Sequence, residues 1–107
     1  SRFIHVSSAL LFPDAGPLAS ILSATLFRNV VSDHIRSEAE LMQPDIDWTI
    51  VRPPKLSNGR LTGNVRSETD HLPKNGSFAI SRADVAAFML QEAATPRYIQ
   101  QIIGVSN

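Results

Sequence analysis

With 107 residues, the chain has room for one small domain or for a piece of one. Ten basic residues balance ten acidic ones, so no charge surplus draws it to nucleic acid or to an anionic membrane. Cysteine is absent, which excludes disulfides, thiolate metal sites and a thiol nucleophile.

The chain enters a strand pattern almost at once, in RFIHV, and Ser7-Ser8 closes it. This start is too short and polar for a signal peptide. FPDAGP, from Phe12 to Pro17, is rich in turn residues. Helical spacing follows: Leu18, Ile21, Leu22 and Leu26 make one apolar stripe, continued by Val30, Val31 and Ile35. A break near Ser32-Asp33 is expected, with Asp33 capping a second helix that ends before Pro44. DWTIV is the next strand, and it runs straight into Arg52, Pro53 and Pro54. Prolines donate no backbone hydrogen bond, so the ladder must stop there.

Residues 55–80 are looser, with turn dipeptides at Asn58-Gly59 and Asn75-Gly76. LTGNVRSET is expected to hold a short edge strand, and SFAIS another. Ser81 then precedes Asp84 in a capping pattern. Val85, Phe88, Met89 and Ala93 give the apolar face of the helix that follows, and Pro96 stops it. YIQQIIGVSN supplies the last strand.

Strands alternating with helices predict an α/β fold with a parallel sheet and right-handed crossovers. FIHV and TIV suit strands covered on both faces. Ligands of such sheets bind beyond the carboxyl ends of the strands. Ser7-Ser8 and Arg52-Pro53-Pro54 are the two polar strand ends that point there. The five glycines form no G-x-G-x-x-G turn, and the P-loop pattern is also missing. The expectation is therefore a partial Rossmann-like sheet: residues 1–107 as the C-terminal half of a single NAD(P)-binding domain, without its glycine-rich half.

FIHVSSALLF, SDHIRSEAEL, DWTIVRPPKLSNGRLTG and AISRADVAAFML, in that order, resemble the C-terminal half of atypical short-chain dehydrogenase/reductases of the NAD(P)H-binding, NmrA-like kind. The likeness runs from residue 2 to 106 and is nearest to the biliverdin and flavin reductase group. It implies NADP or NAD as cofactor and a small-molecule substrate. It implies that Ser8, with Ser7 beside it, contacts the nicotinamide or the reacting group. It puts Val30 and His34 where the usual catalytic tyrosine and lysine stand, so the common route of carbonyl reduction is lost. The reductase group has a histidine that matches His34. In that group Pro53 and Pro54 would approach the nicotinamide through backbone atoms, and Lys55 replaces a histidine.

The other polar residues have bland readings beside functional ones. His34, as an imidazole, can relay protons, or it is an exposed helix residue. Arg52 can clamp a cofactor phosphate, or it pairs with a carboxylate such as Asp84. Lys55 can contact a cofactor phosphate or an acidic substrate, or it is a solvated loop lysine. Phe12 and Trp48 can stack on a flat ligand, although a tryptophan inside a strand is more often core. His5, His34 and His71 have no metal-ligand spacing, so no metal is expected.

The functional expectation is an NAD(P)H-dependent reductase of flavin or a similar planar acceptor, acting in the cytoplasm. Its partner would be the missing N-terminal half or another copy of the chain, with no nucleic acid and no membrane. A non-catalytic NAD(P)-sensing protein is the alternative. A sugar-nucleotide epimerase relative is a third reading, disfavoured by Val30 in place of tyrosine.

Overall fold

A computed structural model describes residues 2–12 and 28–107. The first strand, β1 (Arg2–Val6), runs into a single 3-10 turn at Ala9–Leu11. Helix α1 (Arg28–Leu41) precedes β2 (Asp47–Arg52) and the short β3 (Lys55–Ser57). Then come β4 (Arg66–Thr69), β5 (Ala79–Ser81), helix α2 (Arg82–Ala94) and β6 (Gln101–Ser106). The main sheet has the order β1-β2-β6-β4, and β3 with β5 makes a second, two-stranded sheet.

β1 and β6 both run parallel to β2, and β3 runs parallel to β5. The fold is thus the Rossmann-like α/β arrangement that the strand–helix alternation predicts. β4 is the exception. It lies at the sheet edge, as expected of LTGNVRSET, but antiparallel to β6. The chain from β4 to β6 passes through β5 and α2, and β6 enters the sheet in the opposite sense to β4.

The core forms where α2 covers the junction of the two sheets. Val51, Ile80, Val85, Phe88, Ile103 and Val105 are buried together there. Each such side chain contributes on the order of 1.5–3 kcal/mol on burial. Thr49, Ile50 and Val51 are fully buried, as expected of a central strand. β1 differs from the expectation for FIHV: it pairs only with β2 among the described residues, and Phe3 is 48% exposed.

α1 does not break at Ser32-Asp33. Both residues face outward on an unbroken helix, so Asp33 sits inside the helix and caps nothing. The upstream part of the apolar stripe, Leu18 to Leu26, and the turn residues after Phe12 lie outside the described residues. α2 begins as its sequence predicts: the Asp84 N–H donates to Ser81 Oγ at 3.1 Å. It ends one residue before Thr95, whose N–H returns to Gln91 O. Its buried face carries Glu92 in place of the expected Ala93, which is exposed. Glu92 Oε2 accepts from Arg2 Nη2 at 2.8 Å and from the Arg97 and Tyr98 N–H groups at 2.9 Å. That network ties the end of α2 to the start of β1.

Tyr98 and Ile99 lie outside the last strand, which starts at Gln101 after Gln100 turns the chain at φ 57. The segment after β4 then crosses close over β6 at Gly104. A Cβ there would stand 2.2 Å from the His71 carbonyl oxygen, so only glycine allows the crossing.

Candidate functional site

The tips of β1 and β2 are locked together. The Ser7 N–H donates to Val51 O at 2.7 Å, and the Ala9 N–H donates to Pro53 O at 3.0 Å. The second bond needs only a carbonyl from the proline, which is why a proline can stand there. Beyond it, Pro54 does more than end a strand. It turns the chain out of the main sheet and directly into β3 of the second sheet. The local sequence reading of residues 55–57 as loose missed this strand, because its ladder partner, Ala79 to Ser81, is distant in sequence.

A cavity of about 380 Å³ opens at this corner, lined by Ser8, Ala9, Leu10, Pro53, Pro54, Lys55 and Phe78. Its floor is the 3-10 turn. Ser8 caps that turn in an extended conformation, and its Oγ accepts from the Leu10 N–H at 3.2 Å. The hydroxyl hydrogen remains available to a ligand. The two prolines present a wall without N–H donors. Lys55 opens β3 and Phe78 immediately precedes β5, where Lys55 is in register with Ala79.

Four of the residues singled out from the sequence therefore meet: Ser8, Pro53, Pro54 and Lys55. Three others do not line this cavity. Ser7 is buried, and its Oγ has no hydrogen-bond partner among the described residues. Arg52 points to the α1 side, where Nε donates to Glu38 Oε2 at 2.9 Å and Nη2 bonds Oε1. Its guanidinium also lies 4.8 Å from the centre of the Phe12 ring. The partner is Glu38, not Asp84, because α1 covers the end of β2. Its Nε/Nη2 edge is committed to Glu38, away from the cavity.

His34 lies on α1 and is half-buried; it lines neither this cavity nor the groove beside Arg52. Its electrostatic neighbour is His5 on β1. Burial holds the His5 imidazole below its usual titration range, the charge of His34 lowers it further, and Glu38 opposes the shift. Trp48 is part of β2 and Phe12 is buried under Arg52, so neither lines the cavity. His71 spends Nδ1 on the Leu72 carbonyl at 3.0 Å. Among the described residues, no three His, Cys, Asp or Glu side chains converge as metal ligands. Among the same residues, no helix is long and apolar enough to cross a membrane.

Residues 1–96 match the NAD(P)H-binding family. The chain belongs to that family. Solved structures agree with the assignment. A Bacillus halodurans protein, provisionally named an NAD-dependent epimerase/dehydratase, is 31% identical with a TM-score of 0.78, over 100% of this chain and 46% of its own. ChuY of Escherichia coli, named an anaerobilin reductase, is 28% identical with a TM-score of 0.79, over 99% of this chain and 50% of its own. A Streptococcus pneumoniae protein provisionally named an NADH-flavin reductase shares the fold, at 21% identity and a TM-score of 0.77, over 100% of this chain and 56% of its own. The chain thus spans about half the length of the solved structures it matches. No curated protein matches it.

Leu10 and Phe78 line the cleft without having been singled out from the sequence. Phe78 carries no local signal beyond standing before a short strand; only the β3–β5 pairing brings it to Lys55.

Proposed function

We propose that the full-length protein is an NAD(P)H-dependent oxidoreductase that reduces flavin or a similar planar acceptor, and that this chain supplies the nicotinamide and acceptor end of its site. The observation that carries the reading is the convergence of the Ser8 hydroxyl and the Pro53-Pro54 wall on one apolar cavity at adjacent parallel strand tips. The residues present fit a nicotinamide ring. The cavity is large enough at about 380 Å³, Ser8 offers a hydroxyl hydrogen, and the prolines offer carbonyl acceptors with no competing N–H. Bound there, the cofactor supplies the hydride. Ser8 would orient the ring, and the apolar lining would keep water from the transfer path.

The only tyrosine in the chain is Tyr98, and it packs on Phe88 with ring centroids 6.2 Å apart, away from the cleft. No phenol of this chain can protonate a carbonyl there. That favours an acceptor whose own ring system takes the hydride. The same lack of an acid favours the second reading, a non-catalytic NAD(P)-sensing protein.

The pyrophosphate turn is not in this chain, so residues 1–107 are proposed as the C-terminal half of one domain. The other edge of β1, unpaired among the described residues, is where the other half, or another copy of the chain, would pair. Alone, the chain should bind dinucleotide weakly; submicromolar NADPH affinity by calorimetry would refute that. The activity is tested by steady-state assay of the full-length protein with NADPH and NADH against FMN. Ser8→Ala should lower kcat about tenfold, in line with loss of one positioned hydroxyl. Cofactor binding without turnover across several acceptors would defeat the reductase reading and leave the sensor.

A further inference from the structure

Phe78 stands out among the cleft residues. It is a large aromatic, 55% exposed, on the wall of an otherwise apolar cavity. No ring or guanidinium among the described residues stacks on it. A phenyl ring left this open sacrifices apolar burial unless something covers it. Lys55, whose ladder partner is the adjacent Ala79, is exposed and lines the same cavity. Its ammonium has no carboxylate or hydrogen-bond partner among the described residues. By contrast, the buried Arg52 nearby is paired with Glu38 through Nε and Nη2 and does not line this cavity. One cleft therefore presents an open aromatic face and an uncommitted cation.

We propose that Phe78 and Lys55 determine acceptor specificity in this cleft: the Phe78 ring stacks on a planar acceptor, and the Lys55 ammonium takes an acidic group at its periphery. The inference rests on the reading of the cleft as an acceptor site. A ring stacked on Phe78 gains aromatic contact that a small aliphatic carbonyl cannot. An exposed ammonium adds discrimination by charge, modest in size and sensitive to salt. Neither residue needs to touch the hydride, so their loss should appear in binding before it appears in turnover.

The test is equilibrium binding of FMN and riboflavin to the full-length protein, followed by quenching of flavin fluorescence. The two ligands share the ring system and differ in the phosphate. Phe78→Ala should raise both dissociation constants about tenfold, and Phe78→Trp should hold them within about twofold. Lys55→Gln should weaken FMN about threefold and leave riboflavin unchanged, an effect that fades at high salt. Unchanged urea midpoints establish that each variant still folds, as expected for exposed positions. Failure of the wild type to bind either flavin, or equal binding by Phe78→Ala, would overturn the stacking role. Equal weakening of both flavins by Lys55→Gln would overturn the charge role. Flavin bound without NAD(P)H turnover would sink the reductase reading and leave this inference standing; turnover with Phe78→Ala at wild-type affinity would do the reverse.

Discussion

Glu38 and Asp84 are both buried carboxylates that tie a helix to a distant part of the chain, and they are satisfied in opposite ways. Glu38 is close to the C-terminal end of α1 and is 4% exposed. Both its oxygens are taken by the Arg52 guanidinium. Asp84 is in the first turn of α2 and is 0% exposed. Its oxygens accept from the Thr62 N–H at 3.0 Å, the Thr62 hydroxyl at 2.6 Å, the Gly63 N–H at 3.1 Å and Asn107 Nδ2 at 2.7 Å. None of these donors is charged. Position on the helix explains the difference. A helix N-terminus carries partial positive charge, so neutral donors suffice for Asp84; a C-terminus repels an anion, so Glu38 needs a full counter-charge.

The largest expected effect separates the two sites. Arg52→Met strands a buried carboxylate and should cost about 3–5 kcal/mol in urea unfolding, whereas the double variant Glu38→Leu with Arg52→Met should fall within about 2 kcal/mol of wild type. A single-variant cost below about 1 kcal/mol would mean that the ion pair does not hold α1 down. At the Asp84 end, Asn107→Ala removes one donor to the carboxylate and the Oδ1 acceptor of the Ser81 N–H. It should cost less, about 1–2 kcal/mol, because the other donors remain.

Acidification sharpens the comparison further. The Thr62 hydroxyl, with Asn107 and the Gly63 and Thr62 N–H groups, holds the Asp84 carboxyl well below the usual carboxylate range against the cost of burial. Its contribution is therefore complete above the unfolded value of about 4 and is lost as pH falls toward the lower folded value. The urea midpoint should drop below about pH 4, and Asp84→Asn should flatten that part of the profile. The smallest effect belongs to His5 on the Glu38 side. Its lowered folded value leaves stability unaffected above about pH 6.5, and the unfolded chain takes the proton first below it. A shallow loss of stability on acidification through that region should vanish in His5→Gln; a slope that persists would place its origin elsewhere.

The sequence by itself determined what depends on near neighbours. Runs of strand-forming residues made β1, β2 and β6; helical spacing and the Ser81 cap started α2 where it starts; the prolines ended β2 at a cleft. These are short-range effects of backbone hydrogen bonding and side-chain type, legible in a window of a few residues. Ser8 and Pro53 could be placed together because parallel strands of an α/β sheet end on the same side. What only the tertiary structure decided involves partners far apart in the chain. Arg52 chose Glu38 over Asp84 because α1 overlies β2, and Asp84 was already enclosed by Thr62, Gly63 and Asn107. β3 exists only because residues 79–81 lie beside it, and Phe78 reaches Lys55 only through that ladder. Ser32-Asp33 carried a cap signal that the helix overrode, since both side chains simply face outward. A side chain's choice among several equally suitable partners is made by packing, and packing is a property of the whole chain at once.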